Sequence, residues 1–180
     1  MGVYEADSYV FLREEIEVAA RRLHSDRPTL GICLGSQVMA AALGARVRRG
    51  PQEEIGWYPI ELERAAESDA VARCLTAEDS TVLHWHGDTF DLPPGVEALA
   101  RSHRYERQGF RSGRFGYAIQ FHVEVPAGRI RLWTQGSARE LAGTAGVQSA
   151  AEIEAGAALH GPAMARQAAA FLRSYLDLLG

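Results

Sequence analysis

The chain has 180 residues, 47% of them hydrophobic and 23% charged, which is the balance of an ordinary globular domain long enough to bury a real core. A formal net charge of −4 argues against general affinity for nucleic acid. All 19 basic residues other than histidine are arginine, and neither lysine nor asparagine occurs, so the arginines reflect a bias of the coding sequence rather than site-by-site choice. The two cysteines, Cys33 and Cys74, supply no disulfide framework and suit a reducing, cytoplasmic setting. No stretch is apolar for long enough to span a membrane and no signal-peptide pattern is present, so no membrane partner is expected.

In chain order, Asp7 is placed to cap a first helix in which Leu12, Ile16, Ala19 or Ala20, and Leu23 recur at helical spacing, with Arg21, Arg22 and His24 at its C-terminal end. Arg27-Pro28 closes it and leads into Thr29-Leu30-Gly31-Ile32-Cys33-Leu34-Gly35-Ser36-Gln37. An apolar strand entering a Gly-x-Cys-x-Gly turn, with a helix from Val38 to Leu43 directly after it, is the context of a nucleophile elbow. The thiol stands where unpaired N–H groups and the helix dipole favour a thiolate. Gly44 then ends the helix and Ala45 to Arg49 predicts a short strand. Pro51 to Gly56 is expected as a loop, Trp57 to Leu62 as a strand and Asp69 to Cys74 as a helical turn. Cys74 lacks elbow glycines and is assigned to the core.

The apolar lead Thr81-Val82-Leu83 delivers His84-Trp85-His86-Gly87-Asp88. Two histidines two apart invite a metal, but no third ligand has convincing spacing in sequence, so no metal or other cofactor is expected. Pro93-Pro94-Gly95 is turn chemistry. Val96 to Arg101, Phe110, and Phe115 to Phe121 predict antiparallel strands turning at Gln108-Gly109 and Ser112-Gly113, with five arginines, Arg101 to Arg114, on a solvated hairpin face. On the last of these strands, alternation puts Gln120, His122 and Glu124 on one face. A carboxylate beside an imidazole at a strand end can orient the ring and stabilise its charged form, and the imidazolium can hold a cysteine as thiolate. With the elbow, this gives a candidate Cys33-His122-Glu124 triad. Beyond Pro126, helices are expected over Ala127 to Gln135, around Ser137 to Leu141, over Ser149 to Leu159 ending before Gly161-Pro162, and in a last segment carrying Met164, Ala168, Phe171 or Leu172, Tyr175 and Leu179.

Four motifs, GICLGSQ at Gly31 to Gln37, EIGWYPIEL at Glu54 to Leu62, HWHGDTFDLPPG at His84 to Gly95 and QFHVE at Gln120 to Glu124, resemble the class I glutamine amidotransferases. The likeness is greatest to the stand-alone branch similar to the glutaminase domain of GMP synthase. It covers Met1 to about Glu124 and more loosely the remainder. It implies one α/β domain over residues 1–180 with a mainly parallel central sheet, helices on both faces and an added antiparallel hairpin. It implies attack of Cys33 on a glutamine amide, a γ-glutamyl thioester, and release of ammonia, with His122 as acid and base and Glu124 orienting it. The Leu34 N–H would be an oxyanion donor, and Gln37, Gly87 and Asp88 would contact substrate. A synthase partner, a different γ-glutamyl small molecule, a γ-glutamyl or peptide hydrolase, and an inactive regulatory subunit all remain open readings. Two departures stand out: Val123 occupies a position that is usually proline, and the chain opens on Met1-Gly2-Val3-Tyr4, where the family has already passed its first strands and a glycine-rich loop. The expectation is therefore an N-terminally incomplete domain, roughly 50 residues short at normal element lengths, prone to self-association and weak in activity.

Overall fold

The computed structural model describes residues 2–137, 139–141 and 145–180. Six strands form one sheet in the order β1-β6-β5-β4-β2-β3: β1 Thr29–Ile32, β2 Val47–Leu62, β3 Thr81–Phe90, β4 Glu97–Ser102, β5 Gly109–Ser112 and β6 Gly116–Ile119. Helices α1 Val10–His24, α2 Leu34–Ala42, α3 Arg64–Ser68, α4 Ala127–Gly136 and α5 Ala150–Leu179 surround it.

The α/β architecture with helices on both faces is as expected, and alternation along β6 explains it. Ala118 packs with Leu23, Met39 and Ala40 from the side of α1 and α2. Tyr117 and Ile119 point the other way, into a larger core with Ile130 of α4 and Met164, Phe171 and Tyr175 of α5. The sheet, however, is mixed rather than mainly parallel. Among the described residues β1–β6 is parallel, while β6–β5, β5–β4, β4–β2 and β2–β3 are antiparallel. The reason is connection length. Parallel neighbours need a crossover of about a dozen residues or more, and the short links β4–β5 and β5–β6 permit only hairpins.

Several local expectations are corrected. Asp7 does not cap α1, whose N-cap is Tyr9; its carboxylate instead accepts a bond from Arg13 at 3.1 Å. The loop expected at Pro51 to Gly56 lies inside β2, which runs unbroken past a register shift between Arg49 and Glu54. That bulge lets the strand carry Gly50 and Pro51 without ending. The helical turn expected at Asp69 to Cys74 is present, as a 3₁₀ segment over Ala72–Thr76 whose start is fixed by the Val71 and Ala72 N–H groups donating to the Asp69 carboxylate. Ser137 ends α4 and residues 139–141 form a turn, residue 138 lying outside the described residues.

The largest correction is α5, a single helix that passes through Pro162. An interior proline costs a helix about 3 kcal/mol. Here one buried stripe, Ile153, Ala157, Gly161, Met164, Ala168 and Phe171, continues across it, and that burial outweighs the local loss. A capping box at Ser149 and Glu152 fixes its start.

Candidate active site

Cys33 directly follows β1 and is the N-cap of α2, with φ 51° and ψ −109°. A left-handed φ on a non-glycine residue costs about 1–3 kcal/mol, so the strain of the elbow rests on the cysteine itself. Its N–H donates to the Ile119 carbonyl at 2.9 Å, tying the elbow to the end of β6. Gly31 is needed for a second reason: a Cβ there would lie 2.5 Å from the Gly35 carbonyl oxygen. Gly35 carries no such demand, since a Cβ on it would meet open space. The Leu34 N–H belongs to the first turn of α2, whose donors have no partner within the helix.

His122 lies three residues past the end of β6, held by its N–H donating to Leu83 at 2.8 Å rather than by a continuous ladder. The strand expected to run to Phe121 thus stops at Ile119, yet Gln120, His122 and Glu124 still converge. His122 Nδ1 stands 2.7 Å from Glu124 Oε1. Glu124 Oε2 also accepts the Val123 N–H at 3.0 Å, a donor that proline at this position would lack. Burial pulls the His122 pKa down, but hydrogen bonding to Cys33 and Glu124 outweighs it and raises the pKa to about 9. The Glu124 pKa is opposed by burial and lowered overall by His122 and backbone donors. Trp133 of α4 meets the His122 ring edge-on at 4.9 Å and Trp85 at 5.5 Å, walling the imidazole with aromatic surface.

Gln120 has a part that sequence reasoning missed. Its Nε2 donates to Cys33 Sγ at 3.6 Å, and its Oε1 accepts from Gln37 Nε2 at 3.1 Å. Gln37 therefore both lines the cavity and positions the amide that touches the sulfur. The only sign in the sequence was that Gln120 shares a face with His122.

Cys33 opens on a cavity of about 360 Å³ whose walls include Leu34, Gln37, Gly87 and Asp88, the four residues expected to contact substrate, and also Tyr4, Arg49 and Trp85. The Trp85 carbonyl oxygen lies 3.8 Å from Sγ. Asp88 is half-buried; burial raises its carboxyl pKa and Arg49 opposes the rise. Glu53 and Glu140 also line the space, and Arg49 pairs with Glu53 at 3.5 Å, so the cavity offers acids and one guanidinium to a charged small molecule. Behind the same strand, His84 and His86 meet Glu54, a third group that spacing along the sequence did not reveal.

The sequence model for glutamine amidotransferase class-I matches residues 3–131. The chain belongs to this family. The glutamine amidotransferase-like protein YfeJ of Salmonella typhimurium is 35% identical over 150 residues, spanning 82% of this chain and 62% of that protein. A GMP synthase [glutamine-hydrolyzing] of Thermomicrobium roseum is 39% identical over 114 residues, 61% of this chain and 21% of the synthase. Among solved structures, a glutamine amidotransferase from Thermotoga maritima superposes with a TM-score of 0.79 at 34% identity, covering 98% of this chain and 73% of that one. The chain thus spans about three fifths of YfeJ and a fifth of the synthase.

Proposed function

We propose that this amidotransferase-family chain hydrolyses the side-chain amide of glutamine through Cys33, His122 and Glu124. The sulfur attacks the amide carbon, and the Leu34 N–H faces the oxyanion that forms. The charged His122 passes a proton to the departing nitrogen, so the C–N bond breaks, ammonia leaves and a γ-glutamyl thioester remains. Neutral His122 then takes a proton from water as the oxygen adds, the C–S bond breaks, and glutamate departs. Glu124 keeps Nδ1–H occupied so that Nε2 exchanges the proton. Asp88 receives the substrate ammonium, Arg49 the α-carboxylate, and Gly87 lets the backbone come close.

The observation that carries this reading is the sulfur of a strained N-cap cysteine on the wall of a small charged cavity, electrostatically coupled to a His–Glu pair 2.7 Å apart. A cavity of about 360 Å³ favours one amino acid over a peptide. The ammonia would pass to a separate synthase, as the relatives named glutamine-hydrolyzing GMP synthases suggest, in the cytoplasm. The test is ammonia release from glutamine, asparagine and γ-glutamyl dipeptides. Preference for glutamine supports the reading; a preference for the dipeptides would replace it with a γ-glutamyl hydrolase.

A further inference from the structure

On the β2–β3 hairpin, Glu54 pairs directly with His86 and Gly56 with His84, which brings Glu54, His84 and His86 into one buried cluster. Their side chains are 0–2% exposed. The two imidazoles converge on one oxygen: His84 Nδ1 is 3.2 Å and His86 Nε2 3.3 Å from Glu54 Oε2. The far nitrogen of each ring lies near a backbone carbonyl, His84 Nε2 at 3.3 Å from Tyr58 and His86 Nδ1 at 3.1 Å from Asp88. Those carbonyls only accept, so they fix the ring protons on the far nitrogens and leave lone pairs on the two nitrogens that face Glu54. A lone pair on His84 Nδ1 against a carboxylate oxygen favours a cation between them, while His86 Nε2 also lies 3.3 Å from the Gln108 amide nitrogen.

Two further atoms point the same way. His84 Nδ1 has no hydrogen-bond partner despite complete burial, so its approach to Glu54 is close without being a hydrogen bond. Gln108 Oε1 is likewise buried and unpartnered. Buried polar atoms without partners are few in folded proteins, and two in one cluster call for a missing group. Gln108 Nε2 donates to Glu54 Oε2 at 2.6 Å, whereas the two imidazole nitrogens stand 3.2 and 3.3 Å from the same oxygen. Ligand atoms about 3–3.5 Å apart are what bonds of about 2.1 Å to a common ion impose. Ser102 Oγ lies 2.9 Å from Glu54 Oε1 and 3.1 Å from Oε2, and Arg104 lies 3.7 Å from Oε1, so an ion on Oε2 shares that oxygen with the Ser102 and Gln108 donors.

We propose that Glu54, His84 and His86 form a buried site for a divalent transition-metal ion such as zinc. Two imidazoles with a carboxylate suit zinc, cobalt or nickel rather than magnesium or calcium. The backbone carbonyls that fix the ring protons are the outer partners that such histidine ligands usually have. The site pins β2 to β3 directly before Gly87 and Asp88, and its role is structural. It does not depend on glutamine being the substrate.

The test is metal content of the purified chain from zinc-supplemented cultures, followed by chelation and readdition of Zn²⁺ or Co²⁺ with thermal unfolding. Wild type and Cys33→Ala are expected to hold about one equivalent, and Glu54→Gln at least tenfold less under the same conditions. Zn²⁺ should raise Tm in wild type and leave Glu54→Gln unmoved. Because Glu54→Gln could fail to fold, the Co²⁺ spectrum of wild type decides independently: ligand-field bands without a thiolate charge-transfer band support the site. Loss of metal in Cys33→Ala, a thiolate band, or less than a tenth of an equivalent in the folded wild type would overturn it.

Discussion

Cys33 holds a backbone conformation that few side chains adopt, and its sulfur receives one amide N–H from Gln120 while facing the Trp85 carbonyl. Cys74, in contrast, lies against the Ala70 carbonyl and the Ser174 hydroxyl. Limited iodoacetamide treatment with peptide mapping is therefore expected to label Cys33 first; faster labelling of Cys74 would contradict the elbow. Gln120→Leu removes a donor to the sulfur and unties Gln37, which is expected to slow alkylation roughly 10–100-fold. The His122 pairing also has a pH signature. With its pKa raised from 6.5 to about 9, it stabilises the fold fully below about pH 6.5 and that contribution is lost as pH rises through about 9. A shift of that size corresponds to about 3 kcal/mol. The stability gap between wild type and His122→Asn in urea should thus shrink between pH 6.5 and 9.5, and a pH-independent gap would refute the pairing.

Elements carry the next level of the account. β1 and α2 approach so closely at Gly31 that Gly31→Ala drives a Cβ into the Gly35 backbone as well as the Met39 sulfur. Its expected cost is about 2–4 kcal/mol of stability, read as a fall in urea midpoint. Pro162→Ala restores the helical N–H in α5 and is expected to stabilise by about 1–2 kcal/mol, seen as a higher Tm. The difference between these two positions shows what a sequence can disclose. The elbow was legible because glycine, cysteine and helix lie within seven residues and the geometry is local. The Pro162 boundary misled because the deciding force, burial of a stripe on both sides of the proline, comes from distant β-strands. The bulge in β2 was hidden for the same reason, and with it Glu54. Only the pairing of β2 with β3 brings that carboxylate to histidines 30 and 32 positions away, as the register of Glu54 with His86 records. Likewise Gln120 was visible as a polar residue on the right face, but its contact with sulfur depends on where β6 meets β1.

At the scale of the molecule, β1 is the outermost strand of the described sheet, and the groove along it is apolar. Phe11 and Val18, about half exposed, stand with Leu30, Val38 and Met39 around a space of about 550 Å³. An apolar surface of this kind favours association between chains. Sedimentation velocity is expected to show a concentration-dependent shift that Val18→Glu suppresses, and a strictly monomeric wild type at high concentration would contradict it. The cavity beside Cys33 lies at the C-terminal end of β1 and meets this groove at Leu34. The central claim, that Cys33 of this amidotransferase-family chain attacks a glutamine amide, is tested most directly by intact-mass analysis of the acid-quenched protein during turnover with glutamine. A γ-glutamyl adduct on Cys33 that forms in wild type and is absent from Cys33→Ala is the result expected. Ammonia release that persists in Cys33→Ala, with no adduct on the wild-type sulfur, would contradict it.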